Sequence, residues 1–547
     1  MKYSLKQDYP IATALLLLYL LLFIICRQVL QQTNGHFCYP LDDTFIHMSI
    51  AKNFALNGIW GITAQEFSAA SSSPLYTFIL AIFFKSGINS IWIPLYINLV
   101  FATLLVIVTD RLLQRFNIQA WVRCTALVLV VLLVPVPVMT ASGMEHMLHA
   151  FLAMWLLYLY SDRHTVLSGI VGGLAILARF ESLFLVAGIT AIGLYNRKWL
   201  QTAVILAISL VPMMVFGYIS VQHGAHMLPN SVLLKAAKLS GGGSLGSTLQ
   251  EIVLYKLIYG NNTMVNIFTN RFYPEGSSSL SGTTVVRFLL IIPVLVLLLK
   301  AGNVELLKKM KQLACIALIT TFLHMALAAV GWLFRYEAYL VAINLVVIVI
   351  LLDYYIRQVA ATARRYSLIE KLVFTFLVAF VCAPFPLRAA GAFMNLPHAA
   401  RNIYEQQYQM GAFLREKYQH TAVAANDVGA VSYYSGNRIL DLWGLGNNEV
   451  AEAKLGGRYS PAFLGEFAGR QQVKIAMVYD TWFDSTLLRQ WKKVAAWKIS
   501  NNVICGGDEV SFYAVDPAEA ASLRQKLTSF QPSLPAGVLV TYYPEHP

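Results

Sequence analysis

Long apolar runs alternate with short polar loops from the N-terminus to about residue 395. They lie near 11–25, 91–109, 122–139, 146–160, 166–178, 182–195, 199–221, 286–300, 312–330, 336–356 and 371–387. A helix needs roughly 20 apolar residues to cross a hydrocarbon layer about 30 Å thick. Most of the runs approach that length, so they predict membrane-crossing helices. Residues 75–86 are apolar but too short for a comfortable crossing. Either they enter and return, or one of the short pair 166–178 and 182–195 does not cross. Half-crossing segments survive only where protein or water covers their backbone. The pattern predicts a polytopic α-helical membrane protein of about 11–13 spans.

The loops carry their own signals. Residues 32–74 follow the first run, and Thr44–Leu56 within them is expected to form a short amphipathic helix in the interface. Ser73 and Pro74 read as N-cap and first position of the next helix. The long loop 222–285 holds Gly241–Gly243 and the Pro/Gly/Ser-rich stretch Asn270–Thr284, both expected to be flexible. After about residue 396 the long apolar runs stop and charge rises. Arg401–Lys417 reads as a helix, and β-like runs follow at Thr421–Ala425, Ala430–Tyr434, Val473–Tyr479, Val494–Ile499 and Val510–Val515. We therefore expect a transmembrane domain over 1–395 and a soluble α/β or α+β domain over 396–547.

Composition agrees with the pattern. Of 547 residues, 57% are hydrophobic and 13% charged, against about 25% charged in soluble domains. The net charge of +13 raises the question of a nucleic-acid partner. Its basic residues instead cluster in short loops: Arg111/Arg115/Arg123, Arg163, Arg197/Lys198, Lys308/Lys309/Lys311 and Arg357/Arg364/Arg365. That is the positive-inside pattern, so we expect no nucleic acid. Membrane lipid and lipid-phosphate ligands fit the same charge. Lys2 and Lys6 place the N-terminus in the cytoplasm on this rule. The opposite face then receives 32–74, Ser142–Glu145, Arg179–Glu181, the loop 222–285, Arg335 and the C-terminal domain. The first run has no small-residue cleavage site after it and is expected to be retained. Six scattered cysteines show no CxxC spacing, and no HxxxH or HExxH motif is present.

Several polar groups on that second face are candidates for chemistry. Asp42 and Asp43 follow the first apolar run. A carboxylate beside another carboxylate has a raised pKa and serves better as a base toward a hydroxyl; the alternative is an exposed pair capping the helix at Thr44. Glu145 precedes a run, either simply favoured at a helix N-terminus or binding acceptor hydroxyls or a cation. Arg179 and Glu181 interrupt an apolar stretch, two apart, which requires a turn between two short helices. Arg179 could clamp a phosphate or anchor at the interface. Asn230, Lys235 and Lys238 follow Pro229; the lysines suit a phosphate or form a solvated basic loop. Arg335 is a further phosphate candidate, while Tyr336 fits either substrate contact or the aromatic belt beside Trp332. The spacing requires no cofactor, although Mg²⁺ or Ca²⁺ could sit at the acidic pair through oxygen ligands.

The ordered motifs Asp42-Asp43-Thr44-Phe45-Ile46, Ala51-Lys52-Asn53-Phe54, Asn57-Gly58 and Ser72-Ser73-Pro74-Leu75-Tyr76 resemble the N-terminal signature of GT-C fold glycosyltransferases. The resemblance is nearest to the mycobacterial terminal arabinofuranosyltransferase-like branch. Gly143-Met144-Glu145, Leu177-Ala178-Arg179-Phe180-Glu181 and Leu228-Pro229-Asn230-Ser231 with Lys235 continue it. So do Asn426-Asp427-Val428-Gly429-Ala430, Tyr433-Tyr434-Ser435-Gly436 and Asp441-Leu442-Trp443-Gly444-Leu445. The departures are Ser49 for an arginine, Phe180 for a proline and Ala69 for an acid. The resemblance implies a bacterial inner-membrane enzyme with its active site and C-terminal domain outside the cytoplasm. It implies a polyprenyl-phosphate sugar donor, a glycan, glycolipid or protein acceptor, and inverting transfer. Asp42 or Asp43 would be the base, and Arg179, Lys235, Lys238 and Arg335 would hold the donor phosphate. Glu145, Glu181, Asn230 and Tyr336 would contact substrate. Trp443, Tyr433 and Tyr434 would either stack on acceptor sugar or pack the domain.

Two other classes compete. A transporter or flippase would usually show internal repeats and broken helices at the midplane, and no repeat is visible in this chain. A polysaccharide ligase would use a lipid pyrophosphate donor. A non-catalytic assembly scaffold is the blandest reading.

Overall fold

The computed structural model describes residues 5–239, 274–299, 304–361 and 383–544, with 368, 369, 372, 375 and 376. Among these, five helices are long and apolar enough to cross a membrane: Asp8–Gln32, Ile93–Arg115, Trp199–Gln222, Glu305–Leu327 and Ala338–Ala360. Shorter apolar helices are Pro74–Lys85, Ala120–Leu133, Thr165–Ala178, Ser182–Tyr195 and Arg287–Leu298. This is a multi-pass helical membrane protein. The segment expected at 371–387 lies largely outside the described residues. So does Gly241–Gly243, whereas Pro274–Leu298 is one helix that includes most of the stretch expected to be flexible.

The chain forms two compact units. One comprises Met1–Cys26, Leu95–Met213 and Gly242–Asn395; the other comprises Arg27–Pro94, Met214–Gly241 and Leu396–Pro547. The sequence break near 396 is thus a unit boundary, but 27–94 and 214–241 group with the C-terminal residues rather than with the helices that flank them in sequence.

In the first, helical unit the chain turns back sharply at Arg179–Glu181, between helices Thr165–Ala178 and Ser182–Tyr195. Small residues let helices approach where no hydrophobic force drives them together. Gly169, Gly172 and Gly173 form such a face on helix Thr165–Ala178. A Cβ at Gly169 would lie 2.8 Å from Ile208 Cβ, and one at Gly173 would lie 2.8 Å from Pro212 Cγ.

The second unit contains helix Asp42–Asn57, helix Pro74–Lys85 and a sheet. Helix Asp42–Asn57 is not amphipathic: every residue from Thr44 to Ala51 is buried. His47 Nδ1 lies 3.1 Å from Ser71 Oγ and 3.0 Å from Thr77 Oγ1, which ties it to helix Pro74–Lys85. Pro74 does open that helix, but the Ser73 side chain makes no capping bond.

Among the described residues the sheet has six strands: β1 (Val423–Ala425), β2 (Ile439–Asp441), β3 (Ile475–Val478), β4 (Lys492–Ile499), β5 (Glu509–Ala514) and β6 (Val538–Tyr542). Their spatial order is β2-β1-β3-β5-β4-β6. β1 is parallel to β2 and β3, and the remaining pairs are antiparallel. β1 and β3 are buried throughout, as strands covered on both faces must be. Leu440, Leu464, Phe467, Val478 and Trp491 share one core, while Phe413, Trp497, Phe512 and Phe530 make another through ring contacts of 4.4–6.0 Å.

Ala430–Tyr434, read as β-like, is instead part of helix Gly429–Ser435. Gly436 ends it with φ 69°, the left-handed C-terminal conformation that favours glycine.

The glycine face generates one expectation. Gly173→Leu places bulk against the rigid Pro212 ring and should cost about 1–3 kcal/mol by overpacking. A lowered thermal midpoint of the detergent-solubilised chain, relative to a control such as Leu167→Ala on the same helix's exposed side, checks it.

Candidate functional site

Asp42 opens its helix, yet its carboxylate does not cap that helix. Oδ2 accepts the Gly429 N–H and Oδ1 the Ala430 N–H, each at 2.7 Å, from residues almost 400 positions away along the chain. The close approach depends on glycine: a Cβ at Gly429 would lie 2.1 Å from the Asp42 carbonyl oxygen.

Asp427 follows the end of β1 and belongs to the same acidic group. Its Oδ2 accepts Gln407 Nε2–H at 2.9 Å and lies 2.7 Å from the Tyr479 hydroxyl. Gln407 reaches it from a π-helical turn at Tyr404–Tyr408, a distortion often found at functional positions, and Gln406 Oε1 on the same turn accepts from the Tyr479 hydroxyl. Tyr479 lies beyond the end of β3, and its backbone N–H donates to Asn426 Oδ1 at 2.9 Å. The group therefore sits past the carboxyl ends of the parallel strands, where mixed α/β sheets commonly bind ligands.

Charge crowding sets the acid–base behaviour. Burial, then the Asp427 carboxylate, raises Asp42 from the ordinary carboxylate range to about 8, against the two N–H donors that lower it. Burial also raises Asp427, opposed by Tyr479 and Gln407, and Asp43 raises both. A group of this kind holds and releases a proton near neutral pH. Among the described residues no three His, Cys, Asp or Glu side chains group as a metal ion would require. With both Asp42 oxygens accepting N–H, a divalent cation at the pair would have to draw mainly on other donors.

An aromatic pair stands at the same strand ends. The half-buried rings of Trp443, after β2, and Trp482, after β3, are 4.6 Å apart. Trp482 lies 5.4 Å from the Tyr479 ring. Asp441 shapes the Trp443 loop by accepting the N–H groups of Trp443, Gly444 and Gly446 at 2.6–3.0 Å. Lys454 Nζ sits 3.2 Å from the Trp443 ring centroid and donates to Trp443 O. Tyr433 and Tyr434 lie nearer the acidic group, packed against Phe45 at 5.9 and 5.4 Å, with Lys52 Nζ 5.3 Å from the Tyr433 ring.

Asn230 is also in this unit. Its N–H donates to Ala69 O at 2.9 Å, and its Nδ2 donates to Asn448 Oδ1 at 3.0 Å, while its buried Oδ1 has no partner. The backbones of Lys235 and Lys238 lie in helix Asn230–Leu239, but their side chains are outside the described residues.

The remaining candidates lie in the helical unit. Arg179 is extended at the end of its helix, with φ −159° and ψ 131°. Its Nε donates to Glu181 Oε2 at 3.0 Å, its Nη2 to Glu181 Oε1, and its Nη1 to Glu145 Oε1 at 2.6 Å. Arg179 is thus balanced by two carboxylates and is not a bare cation awaiting phosphate. Its guanidinium lies 5.3 Å from the Tyr336 ring, and that of Arg335 lies 4.9 Å from it. Arg335 Nη2 also donates to Tyr336 Oη at 3.1 Å.

Arg335 follows a left-handed turn. Gly331, Trp332, Leu333 and Phe334 all have φ between 49° and 88°. Such backbone costs roughly 1–2 kcal/mol per non-glycine residue, so its surroundings must hold it. Gly331 N–H donates to Glu337 Oε2 at 2.8 Å, and Arg388 donates to Glu337 Oε1 at 3.0 Å and to Phe334 O at 2.6 Å. Arg388 and Glu337 are both fully buried.

Asp427, Gln406, Gln407, Tyr479, Trp482 and Arg388 were not expected as site residues. Asp427 lay within a motif already noted. The glutamines and Arg388 carry no local signal, because their partners are distant in sequence.

Comparison with known proteins adds the fold. A domain of unknown function, DUF8728, matches residues 401–513. No curated protein matches the chain. The structure is similar to apo ArnT from Cupriavidus metallidurans, with a TM-score of 0.52, 12% identity, and 92% and 98% of the two chains covered. It is similar at a TM-score of 0.42 and 13% identity to the same organism's ArnT bound to undecaprenyl phosphate, covering 91% and 97%. It is also similar at a TM-score of 0.45 and 13% identity to an Archaeoglobus fulgidus oligosaccharyltransferase in complex with Zn and sulfate, covering 95% and 74%. The fold is of the GT-C type, a helical membrane part with a small sheet domain, as the N-terminal motifs imply.

Two expectations follow from the geometry. Asp42 is raised above its unfolded value, so its contribution to stability is fully present below about pH 4. That contribution is lost as pH rises toward about 8. Asp427→Asn removes the largest charge opposing Asp42 and should flatten the decline in thermal midpoint between pH 5 and 9, measured by scanning calorimetry. Arg388→Ala leaves Glu337 buried without its cation and should cost about 3–5 kcal/mol, read in the same experiment at fixed pH.

Proposed function

We propose that the chain is a membrane glycosyltransferase that moves a sugar from a polyprenyl-phosphate donor to a hydroxyl of a cell-envelope glycan or glycolipid. One observation carries this reading. Two motifs of the resemblance far apart in sequence, Asp42-Asp43 and Asn426–Ala430, meet through the Asp42 carboxylate. Motifs with no shared history of function have no reason to converge on one acidic group. The GT-C-type fold supports the same class.

The reaction is an inverting displacement. The acceptor oxygen bonds to the anomeric carbon as the bond from that carbon to the phosphate oxygen breaks, and polyprenyl phosphate leaves. The acceptor proton passes to a carboxylate. Both Asp42 oxygens are engaged by backbone N–H, so Asp42 positions the group and Asp43 is the base. Asp427 keeps the group electron-rich while Tyr479 and Gln407 hold it in place. The resemblance assigns the departing phosphate to Arg179, Lys235, Lys238 and Arg335, cations that would offset its charge. Glu145 and Glu181 position Arg179, and Tyr336 positions both guanidiniums. Acceptor sugar stacks at Trp443 and Trp482.

This chemistry fits the extracytoplasmic face of a bacterial inner membrane, where lipid-linked sugars serve as donors. The donor sugar need not be arabinofuranose, because Ser49 and Ala69 depart from that branch. A ligase would differ in taking its glycan from a lipid pyrophosphate.

Transfer in membranes supplied with a panel of radiolabelled polyprenyl-phospho-sugars tests the reading. Asp43→Asn should lower transfer by about 10²–10⁴-fold with an unchanged thermal midpoint. Asp42→Asn should lower both activity and stability. Trp443→Ala with Trp482→Ala should raise acceptor KM several-fold and spare kcat. Full activity of both aspartate variants would sink the proposal, and transfer from pyrophosphate donors alone would favour the ligase.

A further inference from the structure

Within the helical unit, the end remote from the Arg179 turn holds a separate basic cavity. Helix His146–Ser161 runs from the Glu145 end to Ser161, and the next helix runs back from Thr165 to Ala178. The cavity opens where that first connection meets the start of helix Trp199–Gln222 and the start of helix Val304–Leu327. Arg163, Lys198, Lys308 and Lys309 converge on it, together with Glu305 and Gln312. Its volume is about 80 Å³. One water needs roughly 10–15 Å³ on this measure, so the space suits several waters or one phosphate group.

The positive-inside rule accounts for cations in these loops. It does not account for four of them, from three separate segments, facing one cavity. Repulsion among them is visible at Lys198, whose ammonium is held below the usual lysine range by burial first, then by Arg163 and Lys308. Glu305 offsets part of the charge through a 3.0 Å pair with Arg163. Taking that pair as neutral leaves three lysines.

The depth of the cavity identifies the ligand's setting. Tyr195, Trp199 and Leu200, beside Lys198, are 85%, 63% and 80% exposed. Apolar and aromatic side chains left bare at the end of an apolar helix mark the bilayer interface.

We propose that this cavity binds the phosphate of an anionic ligand, and that its source is the headgroup of an anionic phospholipid. Basic pockets between helix ends are suited to such headgroups. The three lysines supply the donors, and the exposed apolar residues lie beside the acyl chains. The site is separate from the groups assigned to transfer.

Native mass spectrometry and thermal unfolding of the delipidated full chain test this. Phosphatidylglycerol or cardiolipin should be retained and should raise the midpoint, while phosphatidylethanolamine should not. Lys308→Glu with Lys309→Glu should weaken anionic-lipid binding by about thirtyfold. Lys311→Glu, an exposed charge on the same helix that does not line the cavity, should leave binding nearly unchanged. If inorganic phosphate at millimolar concentration gives the same shift and displaces the lipid, the cavity stands but its ligand is soluble. Equal losses from the double variant and Lys311→Glu, equal binding of phosphatidylethanolamine, or no binding of lipid or phosphate would overturn the proposal.

Discussion

The contact between the Asp42 carboxylate and the backbone of Gly429 and Ala430 is the constraint on which the sheet-containing unit depends. It joins a residue that follows the first apolar helix to one from the last third of the chain. Two backbone N–H donors, each at 2.7 Å, converge here on one side chain. The contact tolerates no side chain at position 429. It also brings Asp42 beside Asp427, whose charge adds to burial in raising the Asp42 carboxyl, while Asp427 is raised by burial first and then by Asp43. Anchoring and pKa perturbation are therefore one structural fact. A carboxylate held this rigidly is poorly suited to follow a moving proton, which is why the neighbouring Asp43 takes that role in the proposed reaction.

The helical unit solves a different problem. It buries several arginines, and a buried charge must be paired. Arg179 is balanced by Glu145 and Glu181, and Arg388 by Glu337. The second pair does more than cancel charge. Arg388 and Glu337 together hold both ends of a left-handed turn that the intervening residues would not adopt alone. Arg335 is placed by that turn. Its position is thus fixed by a buried ion pair that does not itself contact the phosphate in the proposed reaction. Backbone strain of this sort persists only where the surroundings over-determine it.

Much of the architecture was legible because hydropathy is a local property. Apolar runs located the helices. Strands β1, β3, β4 and β5 followed from apolar, β-branched runs. What failed was everything set by distant partners. Ala430–Tyr434 has the valine and tyrosines of a strand, but packing beside helix Asp42–Asn57 makes it a helix. Strand β2 is three residues long and β6 is a half-exposed edge, so neither carries a strong pattern. The turn between two short helices at Arg179–Glu181 is legible from their spacing, but the pairing of Arg179 with Glu145 is not, because the two are 34 positions apart. Gln406 and Gln407 look like polar residues of an ordinary helix; the π turn aims Gln407 at Asp427 and Gln406 at Tyr479.

The departures from the resembled family acquire meaning at the acidic group. The family pattern places an arginine at position 49, two helical turns after Asp42, on the same side of the helix. Here Ser49 is buried, and its hydroxyl lies 3.4 Å from the Gly429 carbonyl. An arginine there would bring a cation next to the carboxylates and lower their pKa. Serine leaves them to be stabilised by dipoles: two backbone N–H groups, a glutamine amide and a tyrosine hydroxyl. Dipoles stabilise a carboxylate less than a paired cation does, so the group stays protonatable near neutral pH.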